Sequence, residues 1–174
     1  MCQESACIRA LDNLFFNYLN SNFENIEEKV YLRTKMFVFM NEELFCLEMK
    51  VRDYECDIQG VVNNANYQHY LEHARHEFML SQNVSFSALH KQGIDFMVSK
   101  VTIEYKNPLR GDDRFAVTVG LKREGVKLVC LQNIYRLPDE KLCVKGRVET
   151  VSIENGRLTR GEKFDELFGQ LIKE

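Results

Sequence analysis

VRDYECDIQGVVNNANYQHYLEHARHE, residues Val51 to Glu77, is the stretch that decides how this chain folds. From Asn66 onward, Tyr67, Tyr70, Leu71, Ala74 and Phe78 fall on one face of an α-helix, and Gln68, His69, Glu72, His73, His76 and Glu77 fall on the other. Upstream the pattern breaks into a kinked segment. Gly60 supplies backbone freedom there, and Asn63, Asn64 and Asn66 can bond local main-chain groups or cap the helix, which then opens with exposed amide donors. Asp57 lies on that turn, beside the positive end of the helix, where orphan N–H groups can hold a developing negative charge. Local pattern alone also allows a plainer role, in which Asp57 only holds its own turn together.

On the N-terminal side, Phe45, Leu47, Met49 and Val51 alternate with Cys46, Glu48, Lys50 and Arg52, the pattern of a half-buried strand. Beyond the long helix, Phe86 to His90 predicts a short helical turn ended by Gly93, and four strands follow. The first runs from Phe96 to Lys106 and stops at Pro108; the second carries Phe115, Val117, Val119 and Leu121. Arg123 to Gly125 turn the chain into Val126 to Arg136, which is apolar on both faces at Leu128 to Leu131 and therefore central. After a turn at Pro138 to Lys141, the last strand points Leu142, Val144 and Val148 inward, and a slip of phase before Val151 and Ile153 predicts a bulge. Asn155 and Gly156 form a tight turn, and Phe164, Leu167, Phe168 and Leu171 have helical spacing. This order predicts an α+β fold: a five-stranded antiparallel β-sheet wrapped around the long central α-helix.

Residues 44–174 make up the predicted core domain, and residues 1–43 an N-terminal extension with helical spacing at Leu11, Leu14, Phe15, Tyr18 and Leu19. A net charge of −3, with no dense basic cluster, argues against a nucleic-acid partner. No run reaches the roughly 18 apolar residues of a membrane span. The six cysteines form no C-x-x-C pair, which favours free thiols and a reducing, cytoplasmic location. His69, His73 and His76 share a helix face, but without an HExxH pattern or an identifiable third ligand the reading is surface histidines and no metal. Cys56, beside Asp57, has no base placed for it by sequence and reads as a small turn filler. Glycine-rich phosphate loops are absent, and no cofactor is expected.

Strand, D-x-x-G-V-V turn, long helix and antiparallel meander together resemble the hotdog fold. VRDYECDIQGVVNNANYQHYLEHAR in particular resembles the signature of the 4-hydroxybenzoyl-CoA thioesterase family of acyl-CoA thioesterases. The resemblance implies that Asp57 is the catalytic carboxylate, as nucleophile or general base, and that the backbone N–H of Asn64 polarises the substrate carbonyl. Gly60, Val61, Asn66 and Tyr67 are then the expected substrate contacts, with Arg110 and Lys100 as candidates for the nucleotide end of coenzyme A. It also implies a homodimer or homotetramer in which sheets join edge to edge. Some members carry a histidine where this chain has Asn64 and a tyrosine where it has Asp53, which leaves Asp57 working with main-chain donors. Such a minimal set suits the chemistry, because a thiolate with a conjugate-acid pKa near 8.5 leaves with little help from a general acid. Two alternatives stand beside the acyl-CoA thioesterase: an acyl-acyl carrier protein thioesterase, and a non-catalytic acyl-thioester binding module. A hydratase, which would need a histidine and a carboxylate across the dimer, ranks last.

Overall fold

The computed structural model describes residues 44–172, and the helical extension expected over residues 1–43 lies outside them. The described chain forms β1 (Phe45–Lys50), a single 3-10 turn (Asp53–Glu55), α1 (Asn64–Ser81), α2 (Phe86–Lys91) and β2 (Ile94–Tyr105). It continues through β3 (Arg114–Glu124), β4 (Lys127–Leu137), β5 (Lys141–Glu154), a two-residue β6 (Arg157–Leu158) and α3 (Glu162–Phe168). The sheet order is β1-β3-β4-β5-β2, with every neighbouring pair antiparallel and β6 hooked onto the end of β5. β4 is the middle strand, as its two apolar faces predict.

Helix α1 begins two residues earlier than the apolar spacing suggests. Asn63 is its cap, and its side-chain oxygen accepts a hydrogen bond from the Ala65 N–H at 3.0 Å. Helix α2 ends where expected, at a glycine: Gly93 has φ +76°, and a Cβ there would lie 2.5 Å from Asn155 Oδ1.

The predicted bulge in β5 needs correcting. Val148, Thr150 and Ser152 keep an unbroken inward alternation, and Val151 and Ile153 face the other way, half buried. Against β2 the register shift lies on the partner strand, where Ser99 is the extra residue between Val98, opposite Thr150, and Lys100, opposite Glu149; β5 itself bulges earlier than predicted, at Cys143, the extra residue between Leu142, opposite Tyr135, and Val144, opposite Ile134. Two small polar residues at inward positions make the hydrophobic pattern look out of phase.

Tyr67, Tyr70, Leu71, Ala74, Phe78 and Met79 of α1 are buried against the concave face of the sheet, in one cluster with Phe115, Val117 and Val119 of β3 and Ile134 of β4. Each of the large aliphatic and phenylalanine side chains among them contributes about 1.5–3 kcal/mol through removal from water. Helix and sheet come close at Gly146 of β5, where a Cβ would meet Leu71 Cδ1 at 2.7 Å. Next to that contact is an inward polar pair. Gln132 of β4 is 1% exposed; its amide donates to the Leu71 carbonyl at 3.0 Å and accepts from Arg75 Nη1 at 2.9 Å. At the far end, fully buried Phe164 and Phe168 of α3 close the core. The Arg123 guanidinium ties α3 down, bonding the carbonyls of Gly125, Arg160 and Gly161 and the Asp165 carboxylate, and lying over the Phe164 ring at 5.6 Å.

The outer edge of β2 meets no strand among the described residues. Met97, Val98 and Tyr105 on this strand are each about half exposed, at 51%, 50% and 51%. No helix of the described residues is long and apolar enough to cross a membrane.

Candidate active site

Between the 3-10 turn and α1 the chain makes a tight loop that folds back on itself. The Asp57 N–H donates to the Val61 carbonyl and the Gly60 N–H to the Asp57 carbonyl, both at 2.9 Å, and Gly60 takes φ +71°. The two arms of the loop pair at Cys56 and Val62, and Val61 pairs in turn with Arg110. One Asp57 carboxylate oxygen, Oδ1, accepts from the Gln59 N–H at 2.8 Å, the self-holding role that turn aspartates often play. The side chain is half buried.

The loop runs directly into the cap of α1. Ala65 and Asn66 direct their N–H groups at the Asn63 side chain and carbonyl, whereas the Asn64 N–H has no acceptor among the described residues. It is one of the orphan donors at the positive end of an 18-residue helix. Tyr105, at the end of β2, donates its hydroxyl to the Asn64 carbonyl at 3.1 Å and lies edge-on to Tyr67, tying the exposed strand to the same turn of helix.

The remaining predicted contacts divide. Gly60 and Arg110 are exposed and Val61 is half buried, all at the loop itself. Asn66 and Tyr67 have partners within the frame: Asn66 donates its amide to the Glu55 carbonyl at 2.7 Å, and the 3%-exposed Tyr67 accepts from the Leu109 N–H at 2.9 Å. Burial raises the Tyr67 pKa, so its phenol stays neutral. Lys100 lies five residues before Tyr105 on β2, roughly 16 Å along the strand, and is not brought to the loop.

Sequence reasoning missed Glu55. It is buried at 7% exposure, and its carboxylate accepts from the Arg52 N–H at 2.7 Å, Arg52 Nη1 at 3.2 Å and the Tyr70 hydroxyl at 2.7 Å. Its carbonyl accepts from both the Asn63 N–H and the Asn66 amide. Burial, reinforced by the Glu55 carboxylate, pushes the Tyr70 phenol far above its ordinary range. Two of the residues that meet at Glu55, Asn66 and Tyr70, are eleven and fifteen positions away across a 3-10 turn and a loop, so no periodicity within one element brings them together.

An open cleft of about 920 Å³ runs along Glu48–Glu55 and the His69 and His73 side of α1, with neither Asp57 nor Asn64 in its lining. Its charges largely pair with one another, Lys50 with Asp112 and Arg52 with Glu55. The acid on the loop and the open amide of the helix, not this cleft, are therefore the better candidate for chemistry. Cys130 is a buried core thiol, its pKa pushed up to about 11 by desolvation, which makes it a poor nucleophile.

A curled antiparallel sheet closed around one long helix, with an acidic loop held at that helix's N-terminus, defines a hotdog-fold protein. Solved structures agree. The probable thioesterase YbaW of Escherichia coli superposes with a TM-score of 0.65 at 26% identity, covering 74% of this chain and 98% of that one. A Staphylococcus aureus protein solved in complex with CoA superposes with a TM-score of 0.67 at 17% identity, covering 76% and 88%, a likeness of fold. The profile of the Thioesterase-like superfamily matches residues 51–169, and the chain belongs to that family. Among curated relatives, a chloroplastic acyl-acyl carrier protein thioesterase of Arabidopsis thaliana is 37% identical over 112 residues, which is 63% of this chain and 58% of the relative. The acyl-CoA thioester hydrolase YbgC of Escherichia coli is 34% identical over 96 residues, 55% of this chain and 72% of the relative. The chain thus spans well under two thirds of the length of the Arabidopsis relative.

Proposed function

We propose that this chain hydrolyses acyl-CoA thioesters, with Asp57 as nucleophile or general base and the Asn64 N–H as the donor that polarises the carbonyl. Water is consumed, the acyl C–S bond breaks, and a carboxylate and a thiol leave. One observation carries the reading: the Cys56–Val62 pairing that closes the Asp57 loop leads directly into the helix turn whose Asn64 N–H has no acceptor among the described residues. As charge builds on the carbonyl oxygen, a single such donor is typically worth about 3 kcal/mol. Either route for Asp57 is consistent with this arrangement, attack to form a mixed anhydride or deprotonation of a water. Membership of a thioesterase superfamily and the names of the relatives support the reaction type.

In this reading Gly60, Val61 and Arg110 meet the substrate, with the guanidinium of Arg110 suited to a phosphate of the carrier. The edge of β2, unpaired among the described residues, suits pairing with a second copy into one continuous sheet, so the working unit is at least a homodimer, acting in a reducing cytoplasmic compartment.

A panel of short, long and aromatic acyl-CoAs, with matching acyl-acyl carrier proteins, followed by thiol release, tests the reaction and the carrier together. Multiple turnover on CoA esters is expected, and Asp57→Ala should lower kcat by about 10²–10⁴-fold. Background rates across the panel, or a fully active Asp57→Ala, would refute it. The engagement of Asp57 Oδ1 by the Gln59 N–H favours a second reading, a binding module that holds acyl thioesters without cutting them. That reading predicts saturable binding with no thiol released.

A further inference from the structure

We infer that Glu55 is the positioning residue of this site, the group that sets the distance between the acid and the amide. The inference rests on the hydrolase reading above and assigns Glu55 no contact with substrate.

A buried carboxylate is costly unless its oxygens are satisfied. Glu55 has three donors on its two oxygens, two from Arg52 and one from Tyr70. The Tyr70 bond crosses from the 3-10 turn to the second turn of α1, and the Tyr70 ring packs on Phe115 at 4.6 Å, so the anchor reaches into the core. The Glu55 carbonyl is held separately, by the Asn63 N–H at 2.9 Å and the Asn66 side chain at 2.7 Å. One residue is thus fixed by side chain and main chain to three positions of the helix start. Asp57 is two residues downstream of this clamp, and Asn64 follows Asn63 directly. Both reacting partners are set by it, and no other hydrogen-bonded side chain among the described residues joins the turn before Asp57 to α1.

The consequence is a division of labour. The loop tip, Ile58 to Gly60, is exposed and closed only on itself, whereas the geometry that matters for a transition state depends on bonds converging at Glu55. Misplacement by about 1 Å can cost about 10²-fold in rate while leaving ground-state binding almost intact.

The test uses the full-length chain and three variants. Glu55→Gln keeps the shape and removes the charge, Asn66→Ser removes the amide bond to the Glu55 carbonyl, and Tyr70→Phe removes one bond while keeping the ring. Rates are normalised to folded protein by near-UV circular dichroism, at a temperature well below each variant's Tm. The expected outcome is a kcat lowered by about 10- to 100-fold for Glu55→Gln and Asn66→Ser, less for Tyr70→Phe, with KM within about twofold of wild type. A kcat per folded molecule within about twofold of wild type in Asn66→Ser and Tyr70→Phe overturns the inference, as does a KM that rises in step with any loss. If Glu55→Gln does not fold, the other two variants decide. Wild-type protein that releases no thiol, or an Asp57→Ala variant as fast as wild type, refutes the hydrolase reading instead, so the two failures are distinguishable.

Discussion

Replacing Gly146 by alanine should destabilise the chain through a single contact. A methyl group there would lie 2.7 Å from Leu71 Cδ1 and 3.4 Å from both Leu71 Cδ2 and the Gln132 carbonyl. The glycine is in an ordinary strand, so alanine adds no torsional strain and the effect is steric. Leu71 is completely buried and Gln132 is fixed by two hydrogen bonds, so the clash is relieved only by moving α1 outward or forcing the leucine off its rotamer. Overpacking of this kind costs about 1–3 kcal/mol, and the stiffer unfolded chain of alanine returns about 0.4–1 kcal/mol. Because Leu71 and Gln132 are both held in place, the cost falls in the upper part of that range, about 2–3 kcal/mol, which leaves a net loss of about 1–2.6 kcal/mol, equivalent to a Tm lowered by about 2–10 °C for a chain of this length. Urea unfolding at matched protein concentration measures it, with Leu71→Val as the partner in a double-mutant cycle. Valine removes the δ-methyls in the way, so the double variant should be more stable than the sum of the singles by at least about 0.5 kcal/mol. A Gly146→Ala variant within about 0.5 kcal/mol of wild type, or strict additivity in the cycle, would refute the close approach.

Arg123→Ala should release α3: hydrogen exchange across Phe164 to Phe168 should rise, with a stability loss of about 2–4 kcal/mol from several charge-assisted bonds and a cation–π contact. Arg123→Lys should rescue little, because an ammonium cannot reach three carbonyls and a carboxylate at once, and unchanged protection in either variant would contradict this. The raised Tyr70 pKa means that the folded chain keeps a proton that the unfolded chain releases above about pH 10. The associated stability is complete below that pH and falls as the pH climbs toward the folded value, by about 1.4 kcal/mol per pH unit for one proton. Tyr70→Phe should flatten that alkaline decline in urea titrations; a slope equal to wild type would disprove the linkage.

What was legible in the sequence is what repeats. The apolar face of α1, the central placement of β4, the glycine end of α2 and the terminal helix at Glu162–Phe168 all follow from spacing. The inward phase of β5 does not follow from its hydrophobic pattern, because Thr150 and Ser152 occupy core-facing positions while Val151 and Ile153 take the other face. Apolar spacing begins only at Asn66, although the cap is Asn63, because the first turn of α1 is polar. The placement of Asp57 on the turn and of Asn64 at the opening of α1 follows from a short local motif. The bonds that converge on Glu55 do not, because they join groups brought together only after the helix has folded back on the turn.

The edge of β2 has a further consequence. A twelve-residue strand with one row of amides and carbonyls unmatched among the described residues, and Met97, Val98 and Tyr105 turned outward, is a surface that gains from self-association. If a second copy caps it, cohesion within each subunit and cohesion between subunits become one equilibrium, governed by mass action. Melting points taken at micromolar and nanomolar protein would then disagree, and dilution alone would loosen Tyr105, whose hydroxyl reaches the Asn64 carbonyl at the mouth of the helix.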